Sequence, residues 1–198
     1  MSSTPIKDEA SQLAILNSSA SDHDKAVACQ MLVYVAGPKS IPALVPLLES
    51  EKLAAYARSV LEAIDDPAAS KALLDALPEL QGRPLAGVVD SLGVRREKEA
   101  IPALQKLASG EAKDGQPEAI ASLGMIGTPD AAAALEVILT QGPEPSQTAA
   151  GHAAIVAAEH LSREGHAEEA KRLSRGLIKL FPNGPIHVAA VKLETAPQ

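Results

Sequence analysis

The chain is poor in aromatic residues, in cysteine and in long apolar runs, and each shortage removes a class of protein. Of its 198 residues only 2% are aromatic: there is no Trp, Phe181 is the single Phe, and Tyr34 and Tyr56 are the two tyrosines. Sheets lean on aromatic and β-branched side chains, so a chain that relies on Ala and Leu instead is expected to be helical. The same poverty leaves no interleaved aromatics on which nucleic acid bases would stack. A single cysteine, Cys29, excludes an intrachain disulfide and a cysteine-rich metal site. It stands among helix formers in VACQML and is expected to be a buried, inert thiol. No apolar run reaches the roughly 18 residues of a membrane span. Nor is there an excess of positive charge. The formal net charge is -7 and the pI about 5.2, which opposes nucleic acid or an anionic membrane unless a basic face is segregated. The N-terminus, MSSTPIKDEASQ, carries acids where a signal peptide needs an apolar segment. As written, the chain is expected in the cytoplasm; cut from a longer precursor, it would belong in the periplasm or outside the cell.

What the sequence does contain is a repeat. Leu32, Leu61, Leu92 and Leu123 anchor it at spacings of 29, 31 and 31 residues. Six positions after each anchor stand Pro38, Pro67, Lys98 and Pro129. Twelve positions after stand Leu44, Leu73, Leu104 and Leu135, and at sixteen Leu48, Leu77, Ala108 and Leu139. Each unit reads as a helix ending near the anchor, a tight turn before proline, and a second helix. Proline suits the first turn of that helix, where its missing N–H has no partner to lose. Asp66 and Thr128, just before Pro67 and Pro129, are placed to cap it. The second helices, SIPALVPLLES, AASKALLDALPEL, EAIPALQKLAS and DAAAALEVILT, carry one apolar stripe each. Two short amphipathic helices cannot bury their stripes alone, so successive units must stack.

This organises the chain into an N-terminal polar lead and capping helix (1–21), four units (22–51, 52–82, 83–113 and 114–141) and a C-terminal cap (142–198). After QGPEPS the cap keeps a helix–turn–helix rhythm but loses the columns. Its Ala158, Leu161, Ala170 and Pro182 match the spacing of a tetratricopeptide unit, so a helical pair of that kind is expected there. The G-x-x-G-T-P of LGMIGTPDAAAALEVIL, which alone resembles an anion cradle, falls on the turn column. Sister copies hold Asp65-Asp66-Pro67 and Arg96-Glu97-Lys98 there, which makes it a joint between helices.

The unit A-x-x-x-L-G-x-I-G-(T/D)-P-x-A-x-x-A-L-x-x-L-L resembles bacterial HEAT repeats of the short, phycobilisome-lyase type over residues 24–140. The stretches ARSVLEAIDDPAASKALLDAL and LQGRPLAGVVDSLGVRREKEAIPAL resemble HEAT modules of planctomycete-type multidomain proteins, which accompany 3-keto-disaccharide hydrolase, cytochrome or sugar dehydrogenase domains. The resemblance implies an all-α, right-handed α-α superhelix acting as an interaction module. None of those catalytic domains is present, so no catalytic residue is carried over. A docking module of a sugar-processing, 3-keto-disaccharide hydrolase-type enzyme, a bilin lyase-like activity and nucleic-acid binding are the rival readings; aromatic poverty opposes the second and the charge of -7 the third.

Candidate chemistry is sparse. His152 and His160 lie eight apart, on one helix face but two turns distant, and Glu159 points elsewhere, which does not suit a metal. Glu159-His160 is the reverse of the His-Glu pairs that di-iron HEAT hydroxylases require. There is no G-x-S-x-G, Walker lysine or cysteine–histidine pairing. The chain is therefore expected to be a non-enzymatic monomer that binds no cofactor and takes a protein partner. Its contact surface is expected on the second helices, residues 39–50, 68–80, 99–109 and 130–140. One basic group, Arg83, Arg95, Arg96 and Lys98, gives residues 83–98 a net charge of +2 and is the candidate contact for an acidic partner. Arginines at a helix C-terminus also complement its dipole, so the group has a structural reading as well. Arg58, in YARSVLEA, is the candidate for a snorkelling side chain or for an ion pair between repeats.

Overall fold

The computed structural model describes residues 8–110 and 114–196; the polar lead, residues 111–113 of the third unit and the last two residues lie outside the described residues. Among the described residues every regular element is a helix. The fold is all-α, with solenoid-type helix pairs. The chain divides into two compact units, residues 1–91 and 92–198.

The first unit opens with α1 (Glu9–Leu16), whose start is capped by the Asp8 carboxylate accepting from the Ser11 N–H at 2.9 Å. Then comes α2 (Asp22–Leu32), capped by Ser21. The expected second helix of this pair is broken into a 3₁₀ turn (Pro38–Ser40), a single α turn, α3 (Ile41–Leu44), and a further 3₁₀ stretch (Val45–Glu49). Pro42 and Pro46 explain the break, since each removes an N–H from the helical ladder. α4 (Ala54–Ala63) and α5 (Pro67–Ala76) follow, and Pro78 likewise turns the end of the second pair into a 3₁₀ segment (Leu77–Glu79). α1 is fastened to the turn after α2: Glu9 Oε1 accepts from the Gly37 N–H at 2.8 Å and the Ser40 hydroxyl at 2.7 Å. Those bonds hold the Glu9 carboxyl below its ordinary value.

The division between the units falls within α6 (Gly82–Val94). The second unit continues through a 3₁₀ turn (Lys98–Ala100), α7 (Ile101–Ser109), α8 (Gln116–Ile126) and α9 (Pro129–Gln141). It ends with α10 (Glu144–Arg163), α11 (Ala167–Leu180) and α12 (Gly184–Thr195). The C-terminal segment thus holds three helices, with α12 added to the expected pair. α10 is the hub, packed on α8, α9, α11 and α12.

The columns read from the sequence form the cores. Leu32, Leu61, Leu92 and Leu123 are fully buried, as are Leu44, Leu73, Leu104 and Leu135. Burying each such side chain contributes about 1.5–3 kcal/mol. The columns also continue past Thr140, contrary to the expectation that they end there. Anchored on Leu161, the offsets of twelve and sixteen lead to Leu173 and Leu177, all three leucines being buried, while the offset of six falls on Ala167 in place of proline. The pair α10–α11 is a fifth copy, hidden in the sequence because its anchor lies 38 residues after Leu123 rather than 31.

Two glycines of the fourth unit do different work. Gly127 closes α8 in the left-handed conformation at φ 59°. Gly124 lies where α8 crosses α10: a Cβ there would stand 2.7 Å from the Ala153 carbonyl oxygen, so only a hydrogen fits. Thr128 caps α9 by accepting from the Ala131 N–H, and Asp66 caps α5 by accepting from the Ala68 N–H. Each such cap is worth about 1 kcal/mol.

Candidate interaction surfaces

The basic group predicted from the sequence is spread along α6. Arg83 is exposed in its first turn, while Arg95, Arg96 and Lys98 follow its last, a separation of about 18 Å at 1.5 Å per residue. Arg83 lies beside Arg58, Glu51 and Asp90 along the α4–α6 groove. Arg58 itself is turned inward, but its ion pair is with Glu62 on its own helix, and it reaches the next repeat through hydrogen bonds to neutral groups instead. Its Nη1 donates to the Gly87 carbonyl at 2.7 Å and to the Ser91 hydroxyl at 2.9 Å, and lies 3.7 Å from Glu62 Oε1. Ser91 in turn donates to Glu62. A Cβ on Gly87 would stand 2.5 Å from Arg58 Nε, so glycine makes room for the guanidinium.

Arg96 holds successive turns of the second unit together. It adopts φ 52° at the position Gly127 occupies one unit later, and the Glu97 N–H reaches back to the Leu92 carbonyl at 3.0 Å. Its Nε and Nη2 donate to the Ile126 carbonyl, at 3.1 and 2.7 Å, satisfying an acceptor at the end of α8. Its Nη1 pairs with Glu164, just past α10. The Arg96 hydrogen bond, with Lys98 also nearby, holds the Glu164 carboxyl below its ordinary value. His160 packs under Gly127 and its Nδ1 accepts from Arg163 Nη2 at 3.3 Å, which leaves the ring proton on Nε2. Burial first, then the charges of Arg96 and Arg163, push its imidazole down. Arg96 thus serves a helix C-terminus, but that of the neighbouring α8 and not that of α6, which it follows in sequence.

Two grooves open on the surface, the first mainly apolar and the second of mixed lining. The first lies between the second helices α9 and α11, with Ala133, Val137, Leu177 and Leu180 among its walls. Leu180 is 47% exposed, and Gly176 faces open space, leaving a notch in one wall. An Arg172–Glu136 ion pair of 3.1 Å spans the two helices. The second groove lies at the C-terminal end of α2 and is lined by Gln30, Met31, Val33, Tyr34, Tyr56 and Ser59. Tyr34 is 79% exposed, and Val27 and Met31 extend its stripe along α2.

The family model of HEAT repeats matches residues 82–155. The chain contains HEAT repeats. No curated protein is similar enough to be matched to the chain. The matched HEAT span runs from the start of α6 into α10, so it takes in the Arg96 joint and the glycine crossing at Gly124.

His152 is exposed and His160 half-buried on α10; among the described residues no three His, Cys, Asp or Glu side chains converge as metal ligands would. Among the same residues no helix is long and apolar enough to cross a membrane. Cys29 is fully buried, and burial pushes its thiol up to about 11. Sequence reasoning missed the α2–α4 groove. The available signal was the i, i+4, i+7 spacing of Val27, Met31 and Tyr34, beside the anchor Leu32 and the buried Cys29.

Proposed function

We propose that this HEAT-repeat chain is a non-catalytic scaffold that binds protein, and that the α9–α11 groove is a contact surface. The observation that carries the reading is the groove itself: apolar walls from two adjacent second helices, an open notch at Gly176 and a half-exposed Leu180. Such a surface suits an apolar segment of a partner laid along the helices. α11 carries Lys171 and Lys179 besides Arg172 and Arg175, which pair with Glu136 and Glu194, and the two lysines favour an acidic flank on that segment. The net charge of -7 supports a protein rather than a nucleic acid as partner. The resemblance to planctomycete-type modules supports a role as docking module beside the catalytic domains of a larger, sugar-processing protein. Of the basic group, Arg83 and Lys98 are the exposed members and the remaining contact candidates there.

The test is capture of a partner by the immobilised chain and by its Leu180→Glu variant, with Arg83→Glu/Lys98→Glu beside them. A protein held by the parent chain and released by Leu180→Glu at unchanged helicity supports the groove. Equal capture by Leu180→Glu overturns it, and release by the double variant moves the contact to the basic residues. Failure of the parent chain to hold any protein sinks the scaffold reading.

A further inference from the structure

The α2–α4 groove has the marks of a second surface, independent of the one between α9 and α11. Both tyrosines of a chain with three aromatic residues line it, one of them 79% exposed. Large apolar side chains gathered in the open are uncommon away from interaction surfaces, and tyrosine is among the residues that anchor them. Val27 and Met31 share one face of α2, adjacent to the side buried by Ala28, Cys29 and Leu32, and Tyr34 prolongs their stripe at i+7 in the turn that follows the helix. A stripe of this length and spacing fits the apolar face of another helix.

Charge selects the kind of helix. Residues 1–91 hold twelve acidic and seven basic residues, a net charge of -5 out of the chain's -7. The groove opens at the C-terminal end of α2, where the helix dipole places partial negative charge, and neither α2 nor α4 has a basic residue in its last turn to offset it. An exposed tyrosine ring adds a face that attracts ammonium and guanidinium groups. The Lys52–Asp22 ion pair, at 3.1 Å, occupies the opposite end of α2 and neutralises an acid there.

We propose that the groove formed by Met31, Tyr34 and Tyr56 binds a cationic amphipathic helix of a partner protein. The partner's apolar face lies on the α2 stripe, and a Lys or Arg stacks on Tyr34 near the last carbonyls of α2. The chain then has a binding surface on its first helices in addition to the one on its second helices.

The absence of Trp makes the test direct, because tyrosine emission comes from this groove alone. The probe is a synthetic Leu/Lys amphipathic helix bearing one Trp on its apolar face, with a Leu/Glu helix of identical apolar face as control. Saturable quenching of tyrosine emission by the Lys probe, with weaker binding by the Glu probe and in high salt, is the expected result. Tyr34→Ala and Met31→Ala, each at an exposed position, should weaken probe binding by about tenfold or more at unchanged helicity, as truncation of an interface anchor does. Equal binding of the Glu probe overturns the charge argument, and Lys-probe binding untouched by both variants overturns the location. Self-association of the chain that Tyr34→Ala abolishes would assign the groove to a second copy and overturn the proposal. Leu180→Glu, in the other groove, should leave this binding intact, so failure here leaves the α9–α11 reading standing and the converse also holds.

Discussion

Arg96 and Gly127 occupy the same turn of consecutive HEAT units and share a left-handed backbone, at φ 52° and 59°. For glycine that conformation is free of a Cβ clash, whereas for arginine it is strained by about 1 kcal/mol or more. The strain persists because the same residue caps α8 through the Ile126 carbonyl and pairs with Glu164.

Arg96→Ala should therefore be less stable than Arg96→Gly by about 1 kcal/mol, since alanine keeps the strain and loses the bonds while glycine loses both. Both should fall below the parent chain in urea unfolding. Equal stability of the two variants would show that the turn relaxes out of the left-handed region.

Gly87→Ala should destabilise by no more than about 1 kcal/mol, because the methyl group drives the flexible Arg58 guanidinium off its hydrogen bonds while alanine in the middle of α6 gains about 1 kcal/mol of helix propensity. With Arg58→Ala already in place the same change should cost much less, since the space is then vacant. A double-mutant cycle measures this coupling, and strictly additive effects would mean that the two groups do not compete.

The lowered His160 means that the folded state favours the neutral ring, so its contribution to stability is complete above the ordinary value of 6.5 and declines as pH falls below it. Protonation sets an imidazolium beside Arg96 and Arg163, with Glu164 and Glu159 only partly offsetting them. Glu164 follows at lower pH, because its lowered carboxyl loses its contribution as pH falls below 4.5. Urea midpoints taken at about pH 7.5 and about pH 5.5 should separate more in the parent chain than in His160→Gln. Identical separations would remove His160 from the pH response.

A thiol as deeply buried as Cys29, raised to about 11, is almost wholly protonated at neutral pH and shielded from reagents. A thiol-specific chromophore should react with the native chain only as fast as it opens, and promptly in denaturant. Prompt labelling of the native chain would place Cys29 outside the core.

Much of the fold was legible because the leucine columns depend only on local periodicity and on turns that proline and a capping residue mark. Asp66 and Thr128 sit where their side chains must cap, and the structure has them capping. The break in the first pair was legible in principle from Pro42 and Pro46, whose cost to a helix outweighs the apolar pattern around them. The fifth copy was lost because α10 lengthens the spacing, and a fixed period cannot follow that. The joint at Arg96 depends on partners 30 and 68 residues away, Ile126 and Glu164, which no local pattern contains. The surfaces were the least legible part: α2 is apolar on two adjacent sides, and only packing decides which side is covered.

The spacing of the anchors says where this chain tolerates added length. From Leu92 to Ala108, as from Leu161 to Leu177, the interval is sixteen residues, and a single inserted residue would rotate one helix against its mate. Between units the interval ranges from 29 to 38 residues, the largest excess preceding Leu161. That excess is taken up inside α10, which runs to 20 residues, and not in the two-residue connection at Gly142 and Pro143, so the stack absorbs added length between anchors as extra helical turns and refuses it within a pair.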